Sequence, residues 1–388
     1  MCARFLFFIA KLLLQVFANA MRRRKLKRRS DDNFISASRS KTMSTTNSSN
    51  AVVIRLLSYN VFLRPPGIHS STSDYKDRRL GLLAPAVFPN FDVCCFQECF
   101  SFLTSRQDRV LHISEGYGFK SSAVAPRRCG WTLRIDGGLA MTSRFVVSDT
   151  QFAPFDRGTA SDWFPAKGVL YTRLKLSQTR SLHLFSTHTQ ASYDTFPSVR
   201  EDPYAQIRLR QIYRIRAFID HCLEAAQQDD PIVVCGDFNV DAIPKDNFIG
   251  SSNEYQCMIN ILSGTGINEE FVNTKLAIDG KKPKLNQHGK LLSSRIKYDV
   301  KDVVFDFLNA RVDEDQRKHP VTFPADGDVK KERLDYIFLL QRADSSSNSA
   351  DLVSPKKVGI KTAGVCPFNV TREPFKHLSG NSVYPCLD

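Results

Sequence analysis

PIVVCGDFNVDA, residues 231–242, ends a short apolar run in Gly236-Asp237-Phe238-Asn239. The run before it, Pro231-Ile232-Val233-Val234-Cys235, is β-branched and uncharged. Such a run reads as a strand buried on both faces. Side chains alternate along a strand, so Asp237 and Asn239 are expected to point the same way at its end. A carboxylate beside a carboxamide at the rim of a sheet suggests a site for a metal and a phosphate. An ordinary turn accounts for Gly, Asp and Asn equally well when the stretch is taken alone.

Working outward, the same pattern of β-branched runs ending in polar residues recurs from residue 51 on. Val52–Asn60, Asp92–Gln97, Gly137–Ser143, Gly168–Leu176 and Ser181–Thr187 read as strands, with a helix near 76–88. Residues 203–227 read as the best helix. Ile207, Ile212, Ile215, Phe218, Ile219 and Cys222 form an apolar stripe, and Pro203 suits a first turn. Arg333–Leu340 reads as another strand, and the Lys- and Asn-rich residues 263–301 as a long surface excursion. Strands mixed with helices imply one α/β domain over residues 51–388, built on two packed sheets.

Bulk composition narrows the class. The 388 residues are 42% hydrophobic and 24% charged, enough for a real core. The net charge is +14, but residues 1–42 hold 11 Lys/Arg against 2 Asp/Glu, leaving only +5 for the rest. No nucleic-acid partner is therefore expected for the folded part. The ten Cys contain no CxxC pair, which argues against zinc. Cys94, Cys95 and Cys235 lie in strand-like runs and read as buried thiols of a reducing compartment.

Residues 1–50 read as an apolar plus polybasic segment and a polar linker. The apolar stretch RFLFFIAKLLLQVFANA, residues 4–20, is followed by MRRRKLKRRS. Its length is at the lower limit for a span, and the charge that follows it would face the cytosol. A signal anchor, an interfacial amphipathic segment and a mitochondrial presequence all remain open, as does secretion. The favoured expectation is membrane association with a cytosol-facing domain. The basic stretch would bind anionic lipid.

Five strand-end signals then line up. Tyr59-Asn60 closes the first strand and Gln97-Glu98 the second. His188 sits in Thr187-His188-Thr189-Gln190, and Asp237 and Asn239 end the opening stretch. Asp335 lies between Leu334 and Tyr336-Ile337-Phe338, where an acid is costly unless paired. Carboxylates and carboxamides are hard oxygen ligands that suit Mg²⁺ with its retained waters, and His can donate a proton or contact a phosphate.

This ordered set resembles the endonuclease/exonuclease/phosphatase superfamily over about residues 52–379. The resemblance implies a four-layered α/β sandwich, two packed mixed β-sheets flanked by helices. It also implies roles. Glu98 would bind Mg²⁺ with Asn60 beside the metal, and His188 would contact the scissile phosphate. Asp237 and Asn239 would position the attacking water and the phosphate oxygens, and Asp335 would orient a catalytic His.

Within that superfamily, Asp162-Trp163-Phe164-Pro165-Ala166-Lys167-Gly168 is similar to a segment of neutral sphingomyelinases. There an Asp and a Lys at this spacing engage one another to switch the site on. An exposed ion pair on a loop is the plainer alternative for Asp162 and Lys167. The resemblance implies a monomeric, Mg²⁺-dependent phosphoric diester hydrolase that acts on a sphingomyelin-containing membrane surface. The match breaks after Ser379. Gly380 and Asn381 stand where the family has Asp and its general-base His, and Asn cannot serve as that base. A binding-only pseudoenzyme and another phosphodiesterase or nuclease of the superfamily stay open. Residues 380–388 lack the apolar alternation expected of a closing strand.

Overall fold

The computed structural model describes residues 52–68, 75–127, 135–224, 226–227, 229–244, 250–271, 290–291, 296–313, 316–320, 332–343, 359–368 and 380–384. Two mixed sheets lie face to face. The smaller sheet has the order β1-β2-β4-β3, with β1 Leu56–Leu63, β2 Val93–Cys99, β3 Ser121–Val124 and β4 Ala140–Ser143. The larger has the order β11-β12-β8-β7-β6-β5. Its strands are β5 Val146–Pro154, β6 Gly168–Lys175, β7 Ser181–His188, β8 Ile232–Asp237, β11 Tyr298–Asp302 and β12 Asp335–Arg342. The strands β9 Ile267–Asn268 and β10 Lys290–Leu291 pair separately.

Three apolar layers hold the sheets. Between them, Leu56, Val93 and Cys95 of the smaller sheet meet Leu184, Val233, Cys235 and Ile337 of the larger. Outside the smaller sheet, α1 (Lys76–Val87) and α2 (Arg106–Gly116) cover Leu57, Cys94 and Phe96. Outside the larger sheet, α3 (Pro203–Cys222) and α4 (Asn253–Ser263) cover Val234 and Phe338 with Ile212, Ile215, Ile219 and Ile261. The central strands are buried on both faces, so they read as continuous apolar runs. The result is helix, sheet, sheet, helix. Among the described residues no helix is long and apolar enough to cross a membrane.

Helix α3 starts as expected. Pro203 occupies its first turn, and the Asp202 carboxylate accepts from the backbone N–H of Tyr204 at 2.8 Å and Ala205 at 3.0 Å. It ends at Cys222, not 227, because the chain must turn to feed β8. Asp230 fixes that turn by accepting from Ser181 N–H at 3.0 Å. The surface excursion expected over 263–301 is also corrected. Tyr298–Asp302 is the edge strand β11, and Tyr298 is buried under the Arg216 guanidinium, 4.5 Å from its ring centre. Its alternating polar residues suit an edge that meets solvent on one side.

The expectation that no strand follows Ser379 is corrected too. Gly380–Tyr384 forms β14, antiparallel to β13 (Gly364–Phe368), and lies beside β1. A two-stranded hairpin at an edge needs no strict apolar alternation. A short helix, α5 (Val303–Leu308), follows β11. Beneath it the fully buried Arg333 donates to Asp302 Oδ1 at 2.6 Å and to His319 Nδ1 at 2.5 Å, which anchors the chain entering β12.

The topology sends the ends of β1, β2, β7 and β8, and the start of β12, to one edge. In register, His188 pairs with Asp237, and Asp237 pairs with Asp335. Gly236 makes this close approach of β7 and β8 possible. Its φ is 141°, a region open essentially to glycine alone. A Cβ there would sit 2.0 Å from the Thr187 carbonyl oxygen. Gly236→Ala is expected to lower stability by about 3 kcal/mol or more in denaturant unfolding. An unchanged midpoint would show that the two strands do not close this tightly.

Candidate active site

The strand ends open into a cavity of about 310 Å³. Asn60, Glu98, Asp162, Lys167, His188, Asp237 and Asn239 all line it. Phe62, Phe100, Phe164, Tyr193 and Leu334 supply apolar wall. Seven of the eight residues singled out in the sequence thus meet in one place. The eighth, Asp335, begins β12 half-buried and is not among the lining residues, although Glu332 and Leu334 are. Asp335 sits at the strand's start rather than inside it, and it is not without an interaction partner, as an acid there requires. Ser379 and His377 lie outside the described residues.

Asn60 joins the two sheets. Its Nδ2 donates to Glu98 Oε1 at 3.1 Å within the smaller sheet and to Asp237 Oδ2 at 2.9 Å on the larger one. Its Oδ1 accepts from Phe62 N–H at 3.1 Å, which fixes the amide's orientation. Gln97 makes a second cross-sheet link, donating to Ser58 Oγ at 3.3 Å and Ser186 Oγ at 3.4 Å. Glu98 is also held by Arg64, whose Nη2 donates to Oε1 at 3.2 Å and whose Nε donates to Oε2. Burial pushes the Asp237 carboxyl up to about 6; Asn60 and Lys167 oppose the shift and the Glu98 charge adds to it.

The cavity also holds a cation. Lys167 Nζ lies 2.8 Å from Asp162 Oδ1, donates to the Thr189 carbonyl at 2.6 Å and sits 3.2 Å from His188 Nε2. Asp162 and Lys167 are 8% and 5% exposed, so the plainer alternative of an exposed loop pair is corrected. The short 3₁₀ turn Ala160–Trp163 carries Asp162 inward, where its Oδ2 accepts from Ala191 N–H at 2.7 Å. Burial, with the Lys167 and Arg64 cations, holds the His188 imidazole well below its ordinary range. The Asp237 carboxylate lies 3.8 Å from His188 Nε2. The His188 Nδ1 has no hydrogen-bond partner among the described residues.

Asp237 and Asn239 reach the same cavity by a different route from strand alternation. Strand β8 stops at Asp237, and Asn239 turns back with φ 51°. Its N–H donates to Asp237 Oδ1 at 3.0 Å and its Nδ2 to the Thr189 carbonyl at 3.1 Å. Phe62 and Glu98 also have positive φ, 48° and 52°. Three non-glycine residues in the left-handed region around one cavity mark backbone held out of its preferred basins by the surrounding fold.

Sequence reading missed Arg64, Tyr193 and Glu332. Arg64 follows Asn60 by four residues across an irregularity of β1 at Phe62, which nothing in the periodicity marks. The residues present suit a hard divalent cation. Glu98 and Asp237 are both buried carboxylates facing one cavity, with a carboxamide between them. Among the described residues there is no group of three or more His, Cys, Asp or Glu poised for a metal. A cation on Glu98 would compete with Arg64 for the same carboxylate oxygens.

Comparison with known proteins follows from this geometry. A sphingomyelinase of Dictyostelium discoideum is 30% identical over 228 residues, 52% of this chain and 48% of that protein. A sphingomyelinase C of Listeria ivanovii is 26% identical over 220 residues, 54% of this chain and 60% of that protein. The chain spans about half the length of such curated relatives. A beta toxin of Staphylococcus aureus solved with bound magnesium ions superposes with a TM-score of 0.53 at 19% identity, covering 86% of this chain and 98% of that one. The likeness at that identity is one of fold. The model of the Endonuclease/Exonuclease/phosphatase family matches residues 57–367, and the chain belongs to that family.

Proposed function

We propose that this protein is a Mg²⁺-dependent sphingomyelin phosphodiesterase that releases ceramide and phosphocholine. The observation that carries the reading is the buried Asp162–Lys167 pair, which delivers the Lys167 ammonium to His188 within the cavity. The sphingomyelinases among its relatives support the substrate class.

Glu98, with Asn60 beside it, would hold Mg²⁺. When bound, the ion supplies a Lewis acid for a phosphate oxygen and for the leaving alkoxide. The remaining work falls to the chain's own groups. A phosphate bound beside Lys167 and His188 would accept from the Lys167 ammonium, and its negative charge would favour protonation of the imidazole. Nε2 then turns from acceptor to donor. Asn239 and Asp237 share a hydrogen bond and would orient the attacking water. Asn60 keeps the carboxylates apart from one another by donating to both. Preorganised groups of this kind, in a cavity sheltered from water, commonly supply much of the rate. Asp335 would orient a catalytic His, and residues 1–50 would tether the domain to membrane.

The C-terminus favours a second reading, binding with little turnover. On the family resemblance, Gly380 and Asn381 would stand where the family has Asp and its general-base His. A missing general base slows the reaction by about 10²–10⁴-fold. The test is release of phosphocholine from sphingomyelin by the full chain, with and without Mg²⁺, alongside nucleic acid and inositol phosphates. Slow, Mg²⁺-dependent release from sphingomyelin alone is expected. The variant Gly380→Asp with Asn381→His should raise it by a factor comparable to that loss. Preferential cleavage of nucleic acid or inositol phosphates would overturn the substrate assignment. No gain in the variant would remove the missing base as the cause.

The Asp162–Lys167 pair has its own test. Removing one partner of a buried ion pair leaves the other charge uncompensated, so the single and double changes should not add. In a cycle of Asp162→Ala and Lys167→Ala, the effects on lipid hydrolysis are expected to couple by about 1 kcal/mol or more. Strict additivity would show that the pair does not act as a unit.

A further inference from the structure

Linked to the cavity through Trp163 and Gln190 lies a basic groove that the chemistry above does not use. It is lined by Arg157, Arg210 and Arg214, with Asp156 as the opposing charge. Arg210 and Arg214 are one helical turn apart on α3, so they present to the same side. Arg157 stacks its guanidinium 4.0 Å from the centre of the Trp163 ring. Burial holds the Arg210 guanidinium below its ordinary range, and Asp156 opposes that shift.

The groove is joined to the cavity by short links. Trp163 lies between the lining residues Asp162 and Phe164, on the turn that carries Asp162 inward. Gln211, in the groove wall, accepts from Gln190 N–H at 2.8 Å, two residues beyond His188. Despite its size Trp163 remains 39% exposed, and Tyr193 on the cavity rim is 43% exposed. An aromatic with a polar edge, partly in solvent and stacked on one arginine of a groove that holds three, matches the boundary of a bilayer. The ring suits the headgroup level and the arginines suit anionic phosphates.

We propose that the Arg157–Arg210–Arg214 groove and the exposed Trp163 form a docking surface for an anionic phospholipid bilayer, which presents the cavity mouth to the membrane. The inference builds on the lipid-hydrolase reading, but its test involves no turnover, so either can fail alone. Docking here differs from tethering by residues 1–50, because it places Trp163 itself in the lipid.

The chain has two Trp, so Trp131→Phe leaves Trp163 as its single indole. The full chain with that change is titrated with phosphatidylcholine vesicles, with and without phosphatidylserine. Trp163 emission is expected to shift to the blue and to lose acrylamide quenching on the anionic vesicles only. Arg210→Gln with Arg214→Gln should raise the lipid concentration at half-shift by about 25-fold, at roughly fivefold per charge. Arg210→Lys with Arg214→Lys keeps both charges and should retain most of the response, which separates loss of charge from loss of fold. Vesicle binding with unshifted Trp163 emission would assign docking to the N-terminal segment and overturn the proposal. An unchanged half-shift in the Gln variant, or an equal shift on neutral vesicles, would overturn it as well.

Discussion

One carboxamide connects the two halves of this molecule at the point where chemistry is expected. Asn60 spends both protons of its Nδ2 on carboxylates from different sheets, Glu98 and Asp237. An amide can do this where a carboxylate cannot, because a third negative charge would repel both neighbours. The spacing of the two sheets at this edge is thereby tied to the spacing of the charged groups. The apolar layer of Leu56, Val93, Leu184 and Val233 sets how the sheets pack, and the amide sets how their ends meet.

Around that bridge the cavity holds both signs of charge. Glu98 and Asp237 bring carboxylates to it and Lys167 an ammonium, with the His188 imidazole between Lys167 and Asp237. Arg64 and Asp162 each balance one of these charges, Arg64 on Glu98 and Asp162 on Lys167. Buried charges persist in folded proteins when they are paired or hydrogen-bonded: Glu98 and Lys167 have ion-pair partners, and Asp237 accepts from Asn60 and from the Asn239 N–H. The cost is also visible in the backbone. Phe62, Glu98 and Asn239 are all held at positive φ, and all three line the cavity. A fold that maintains such conformations fixes its side chains before any ligand arrives.

Much of this was legible in the amino-acid order. The two-face burial of Ile232–Cys235 produced an unbroken apolar run, and the polar residues that ended it were those with somewhere to go. Glu98, His188 and Asp237 were found for the same reason, as polar groups at the tips of apolar strands; Asn60 was found as the polar residue of its run, although β1 continues past it to Leu63 through an irregularity. Asp162 and Lys167 were found only through resemblance, since six residues with a Trp, a Phe and a Pro carry no periodicity. Other features were hidden. Strand β11 reads Tyr-Asp-Val-Lys-Asp, and an edge strand exposes too many polar residues to stand out. Arg64 reaches Glu98 by way of the left-handed Phe62, and Asn239 leaves its strand in the same conformation. Positive φ at non-glycine residues is imposed by tertiary packing and has no local signature.

The central claim is that Glu98, held by Asn60, is the anchor for a divalent cation, and that Arg64 is the group which yields to it. A crystal structure of the chain with Mn²⁺ in place of Mg²⁺, with the cation located by anomalous scattering, tests this most directly. The account predicts a peak within coordination distance of the Glu98 carboxylate, with the Arg64 guanidinium moved off both oxygens. A peak elsewhere in the molecule, or none in the cavity while Arg64 still holds Glu98, would contradict it.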